Sequence, residues 1–80
     1  MITREQVRQL SRVDRIGLGV IFVQEGEKHG LDVVALREFA AKMIEYCDVI
    51  IDKQLVDDDE VPFLRACRQF FAERCQITRH

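Results

Sequence analysis

Eighty residues, 48% of them apolar, with a formal net charge of −2 make one small domain. The chain is too apolar to be disordered and too acidic overall for a general nucleic-acid binder. Four Gly, one Pro and no Asn leave little turn chemistry for a small all-β fold, so long helices are expected. Such a domain is near the lower limit for a self-sufficient core, and oligomerisation is a common remedy.

The first segment spans about residues 3–28. Thr3 is an N-cap candidate with Gln6 at the capping-box position. Val7, Leu10, Val13, Val20 and Ile21 recur at three- and four-residue steps, and Gly30 stands just past the end as a stop. Inside it, residues 16–23 read IGLGVIFV, apolar or glycine throughout. As a helix this stretch is hydrophobic all round and calls for partners on every side. Its β-branched residues and two glycines also suit a strand, but the only candidate strand partner, residues 47–51, sits inside a strong helical pattern, so helix is the reading carried forward. Gly17 and Gly19 each cost roughly 1 kcal/mol in a helix relative to Ala, which close approach by a neighbour would offset.

The second segment covers about residues 32–56, with Asp32 as N-cap. Leu36, Phe39, Ala40, Met43, Cys47 and Ile50 form its apolar stripe. The third covers about residues 59–77. The acidic run Asp57, Asp58, Asp59, Glu60 caps it and suits the positive helix end, and Pro62 falls in the first turn. Its apolar residues, Phe63, Leu64, Cys67, Phe70, Phe71, Cys75 and Ile77, span roughly 200° of the helical wheel, wider than one core contact needs. Short connections suggest neighbours that run antiparallel. The expected architecture is an all-α, antiparallel three-helix bundle, a helical hairpin plus a third helix, assembled as a homodimer.

The surface feature with most functional content is a stripe of Arg4, Arg8, Arg12 and Arg15, within roughly 80° on a continuous helix. Guanidinium forks suit carboxylate or phosphate. Such a stripe is either a solvated face, a steering surface for an acidic protein, or a backbone clamp on nucleic acid; it could also pair with the run at residues 57–60, within one chain or between two. Phe22, Phe63 and Phe70 are the aromatic candidates for an interface core. Arg74 is the one charge inside the third helix's apolar arc. Its stem is expected to snorkel, with an ion pair across a helix or subunit contact as the alternative, Glu45, Asp48 and Asp52 being candidate partners.

Chemistry of other kinds finds little footing. Cys47, Cys67 and Cys75 are an odd set without paired spacing, so reduced, packed thiols are expected rather than disulfides or a nucleophile. Zinc on these cysteines with His29 or His80 lacks close ligand pairs. The acidic run has none of the alternation of a calcium loop. No glycine-rich phosphate loop or catalytic set is legible, so neither an enzyme nor a cofactor is expected. The apolar run is far short of the ~20 residues of a membrane span, and a cytoplasmic protein is expected. The function expected from these features is non-catalytic: a small regulator, inhibitor or adaptor that binds and occludes a larger protein with an acidic surface. Short, motif-free chains of this kind are expected among bacterial or phage regulators. The alternatives are a nucleic-acid-associated regulator using the arginine stripe, and a structural subunit of a larger assembly.

Overall fold

A computed structural model of the chain describes residues 3–76, the side chains of Val7 and Gln76 excepted. The described residues are all-helical, with no strand: α1 (Arg4–Gln9), α2 (Arg12–Lys28), α3 (Val33–Asp52), a 3₁₀ turn (Asp58–Glu60) and α4 (Val61–Gln76). The expected end of the last helix at Ile77 lies outside them. α3 and α4 form the most extensive helix pair, and α2 packs on both. The Cα trace measures 35 × 32 × 15 Å. Its thin dimension corresponds to two helix layers at the usual spacing of about 8–10 Å.

The continuous first helix expected over residues 3–28 is in fact two. Thr3 caps α1 reciprocally with Gln6, the Gln6 N–H donating to Thr3 Oγ1 at 3.1 Å and the Thr3 N–H to Gln6 Oε1 at 2.9 Å. The chain then leaves the helix at Leu10, and Ser11, in extended geometry, restarts it. The Asp14 N–H donates to Ser11 Oγ at 3.1 Å. One guanidinium nitrogen of Arg15 donates to the Arg8 carbonyl at 2.9 Å and so ties the corner. A local N-cap has outcompeted continuation of the ladder.

α2 ends in a Schellman motif. Gly30 sits at φ 73°; its N–H donates to the Glu27 carbonyl, and the Leu31 N–H to the Gly26 carbonyl at 2.8 Å. α3 ends in the same way, but four residues before the expected Val56. There Gln54 takes the left-handed conformation, φ 56°, and the Leu55 N–H reaches the Ile50 carbonyl at 3.0 Å. A non-glycine residue stands where glycine would be unstrained. The Asp32 cap of α3 is present, its carboxylate accepting from the Val34 N–H at 3.1 Å. Before α4 the acidic run forms the separate 3₁₀ turn, capped by Asp57, whose N–H donates to Glu60 Oε1 at 3.2 Å.

The core is built from Ile16 and Val23 of α2, Ala40, Cys47 and Ile50 of α3, and Leu64, Cys67 and Phe71 of α4. Around Phe71 the rings of Phe39 and Phe70 pack edge-on, with centroids 6.4 and 5.4 Å away. α2 reaches this cluster through Gly19: a Cβ there would stand 2.9 Å from Met43 Cε and 3.4 Å from the Phe39 and Phe71 rings.

Residues 16–23 are therefore helical, but they are not enclosed by the rest of the chain. Ile16, Gly19 and Val23 are buried, whereas Ile21 is 54% and Phe22 49% exposed. The physical reason is layering. α3 and α4 cover one side of α2, and no other described element covers the opposite side.

Candidate functional site

That uncovered side of α2 forms, with the start of α4, an open groove of about 770 Å³. Its apolar lining includes Leu10, Val13, Gly17, Ile21, Phe63 and Cys67, and Asp14, Asp59 and Glu60 stand at its edges. Gly17 makes the floor. A Cβ at Gly17 would meet only Phe63 Cζ, 3.6 Å away. The two glycines, two residues and so about half a turn apart, do opposite things: Gly19 admits the core of its own chain, and Gly17 leaves the groove deep. Phe63 is 48% exposed, since the first turn of α4 carries it past the edge of the core.

The candidate residues read from the sequence fall into separate places. The arginine stripe is divided by the corner at Leu10 and Ser11. Arg4 and Arg8 lie exposed on α1, Arg12 lies exposed at the start of α2, and Arg15 is half-buried and turned back onto Arg8. Phe63 borders the groove. Phe22 lies elsewhere on α2, its ring edge-on to Phe39 with centroids 4.9 Å apart.

Phe70 and Arg74 are joined to each other. The Arg74 guanidinium lies 3.6 Å from the Phe70 ring centroid, donates to the Phe70 carbonyl and pairs with Glu27 of α2 at 3.2 Å. The alternative account of Arg74, an ion pair across helices, holds in place of simple snorkelling, but the partner is Glu27 of α2 rather than Glu45, Asp48 or Asp52. Asp48 is instead held by Arg68, at 2.6 Å, and that bond raises the Arg68 pKa. These pairs are partly exposed, worth at most about 1 kcal/mol each, and serve to orient α4 against α2 and α3.

Cys47, Cys67 and Cys75 are reduced thiols, outside any disulfide. Burial first, then the neighbouring Cys67 and Asp48, push the Cys47 thiol up to about 11, against a smaller opposing pull from Arg68. Burial raises Cys67 as well. The Cys75 Sγ is in donor range of the Arg37 carbonyl, 3.7 Å away. A thiol held neutral is a poor nucleophile. The shift also ties stability to pH. The folded chain holds the Cys47 proton more tightly than the unfolded chain, whose thiol titrates near 9.0. Below that value both states are protonated and stability is complete. Between about pH 9 and 11 only the unfolded state has lost the proton, so stability falls with rising pH, by ~2 kcal/mol across the window. Denaturant titrations at stepped pH should show this decline, and Cys47→Ala should make it shallower, leaving the part due to Cys67. An equal slope in both proteins would refute the assignment to Cys47.

Among the described residues no three His, Cys, Asp or Glu side chains gather as metal ligands, and His80 lies outside that set. Among the same residues no helix is long and apolar enough to cross a membrane. No known family, curated protein or solved structure matches the chain.

The groove was not legible as a site. Its apolar residues belong to the same periodic pattern as the core, and only the burial of each separates them. Two signals of surplus apolar surface were available, the all-round apolar stretch at residues 16–23 and the apolar arc of the last helix, too wide for a single contact, and neither located the groove.

Proposed function

We propose that this chain is a single-domain, non-catalytic protein–protein interaction module that binds and occludes a larger protein, as a small cytoplasmic regulator, inhibitor or adaptor would. The observation that carries this reading is the apolar groove between α2 and α4, open to solvent and reached by Leu10 just past the arginine-bearing α1. The apolar residues Ile21 and Phe63 are half-exposed there, and truncation of such ring and branched side chains at an interface is commonly costly. Arg4, Arg8 and Arg12, exposed on α1 and at the start of α2, steer a partner with an acidic surface. Phe22 extends the apolar surface of α2. Phe70 and Arg74 are occupied within the chain and belong to the scaffold. An up-down-up, antiparallel course of α2, α3 and α4 and assembly as a homodimer are part of the same proposal, supported by the short connections and by the uncovered side of α2.

The test is partner capture from the native host with immobilised chain, followed by association kinetics at low and high salt. Phe63→Glu is expected to abolish capture by removing the apolar anchor. Reversal of Arg4, Arg8 and Arg12 to Glu is expected to slow association about tenfold or more at low salt and to remove most of its salt dependence. Capture that survives both changes would defeat the proposal. Retention of duplex nucleic acid, falling steeply with salt, would replace it with the nucleic-acid reading. Aggregation of the isolated chain would favour an orphaned subunit of a larger assembly.

A further inference from the structure

Among the described residues, every charged one that lines the groove is acidic. Asp14 enters from α2, and Asp59 and Glu60 from the 3₁₀ turn before α4. Asp14 and Asp59 are exposed, and Glu60 is half-buried. The Glu60 carboxylate already accepts from the Asp57 N–H. No cation pairs with Asp14 or Asp59 among the described residues, where the ion pairs join Glu25 with His29, Asp48 with Arg68, and both Glu27 and Glu73 with Arg74. The three carboxylates have a local role at two helix starts, where each positive end is worth roughly half a charge. Three negative charges against two such ends leave the rim negative by about two charges. Arg4, Arg8 and Arg12 do not line the groove and do not offset it there.

Between these carboxylates the floor is apolar and long. Val13 and Ile21 both line it from α2, about 12 Å apart along the helix axis. Apolar anchors at positions i, i+4 and i+7 of a second helix span about 10 Å, which matches that floor. An extended peptide needs a sheet edge for its backbone, and the described residues contain no strand. A small molecule lying here keeps one side in water, whereas a ligand pocket encloses most of its occupant. A helix laid between α2 and α4 supplies the cover that α2 lacks. We propose that the groove receives an amphipathic helix of the partner protein, apolar at i, i+4 and i+7, with Lys or Arg flanking that stripe where Asp14 and Asp59 meet them. This rests on the reading of the groove as a docking surface and names what enters it. The half-exposed Ile21 and Phe63 hold the helix by apolar contact. The carboxylates choose it, because rim ion pairs add little affinity but oppose a helix with acidic flanks. Arg4, Arg8 and Arg12 address an acidic surface elsewhere on the same partner.

The test is selection on the immobilised whole chain from a displayed library of amphipathic helical peptides, about four turns long, whose flanking positions vary among Lys, Arg, Glu, Asp and Ala. The recovered peptides are expected to carry Lys and Arg in excess over Glu and Asp. Fluorescence anisotropy of one of them is then expected to show binding that weakens as salt rises. Asp14→Asn with Asp59→Asn is expected to weaken it about tenfold at low salt and to remove most of the salt dependence. Glu60 is left in place because it closes the cap of the 3₁₀ turn. Asp14→Lys with Asp59→Lys is expected to reject that peptide and to accept its copy with Glu at the same flanks. Circular dichroism checks that both variants stay helical, and Gly17→Leu, which fills the floor, carries the test if either does not. A recovered set without basic excess, or a basic peptide whose binding survives the Asn pair and Gly17→Leu, overturns the proposal. So does a wild type that sediments as a dimer no peptide displaces, which gives the groove to a second copy. No basic helix recovered, yet a host partner captured through Phe63, overturns the basic helix and leaves the functional reading standing. A basic helix bound in the groove, with no partner captured from the host, supports the proposal and removes the larger partner.

Discussion

Phe71→Ala is expected to leave the chain largely unfolded near body temperature. Phe71 is the largest fully buried side chain and the point where all three long helices meet. Phe39 of α3 and Phe70 of α4 pack against its ring, and Gly19 of α2 approaches it. Truncation of a buried Phe to Ala costs about 3–5 kcal/mol, the lost transfer energy plus that of the residual cavity. A domain of this length has ~4–12 kcal/mol of stability in all, so the change removes much of it and lowers the melting temperature by ~20 °C. Phe63→Ala is the control. The same ring is removed from a half-exposed position, and a loss under ~1 kcal/mol is expected. Thermal melts of the two variants beside wild type decide the matter, and similar shifts for both would contradict the core assigned here.

The contrast between Phe63 and Phe71 also shows where sequence patterning stops. Both belong to one apolar arc of the last helix, and periodicity marks both as inward. The arc was too wide for one contact, which correctly signalled surplus apolar surface but could not say which edge was surplus. That edge was decided by α2 resting over the middle of α4 rather than over its first turn. Helix existence was legible because each long segment carries its own cap: Asp32, Gly30 and the acidic run act locally and need no tertiary information. The break at Ser11 was concealed for the opposite reason. Val7, Leu10 and Val13 keep helical spacing across it, and the Ser11–Asp14 cap is a local bond that an amphipathic pattern does not register. The early end of α3 was concealed too, because Gln54 adopts a conformation normally flagged by glycine, while Leu55 and Val56 prolong the apolar stripe. The arginine stripe depended on the unbroken helix, so it divided with it.

Gly17 and Gly19, indistinguishable in the sequence, give the sharpest test of the groove. Replacement of both by Leu, one at a time, is expected to move stability in opposite directions. At Gly19 the new Cβ alone stands 2.9 Å from Met43 Cε and 3.4 Å from two aromatic rings. The flexible end of Met43 can yield to one methyl, so Gly19→Ala is near neutral once the helix-propensity gain of about 1 kcal/mol is included. Leu places three further carbons against rings that cannot yield. Overpacking of this kind costs roughly 1–3 kcal/mol or more, and α2 must lift from α3 and α4. At Gly17 the nearest atom to a new Cβ is 3.6 Å away, at ordinary contact distance, and the rest of the side chain enters open groove. Gly17→Leu is therefore expected to raise the melting temperature, by the ~1 kcal/mol of recovered helix propensity, while filling the space that a partner needs. The isolated chain becomes more stable and its association weakens. Melting curves with sedimentation on the same samples separate the two quantities. If Gly17→Leu destabilises the chain as Gly19→Leu does, that side of α2 is already packed by its own chain, and no docking groove exists.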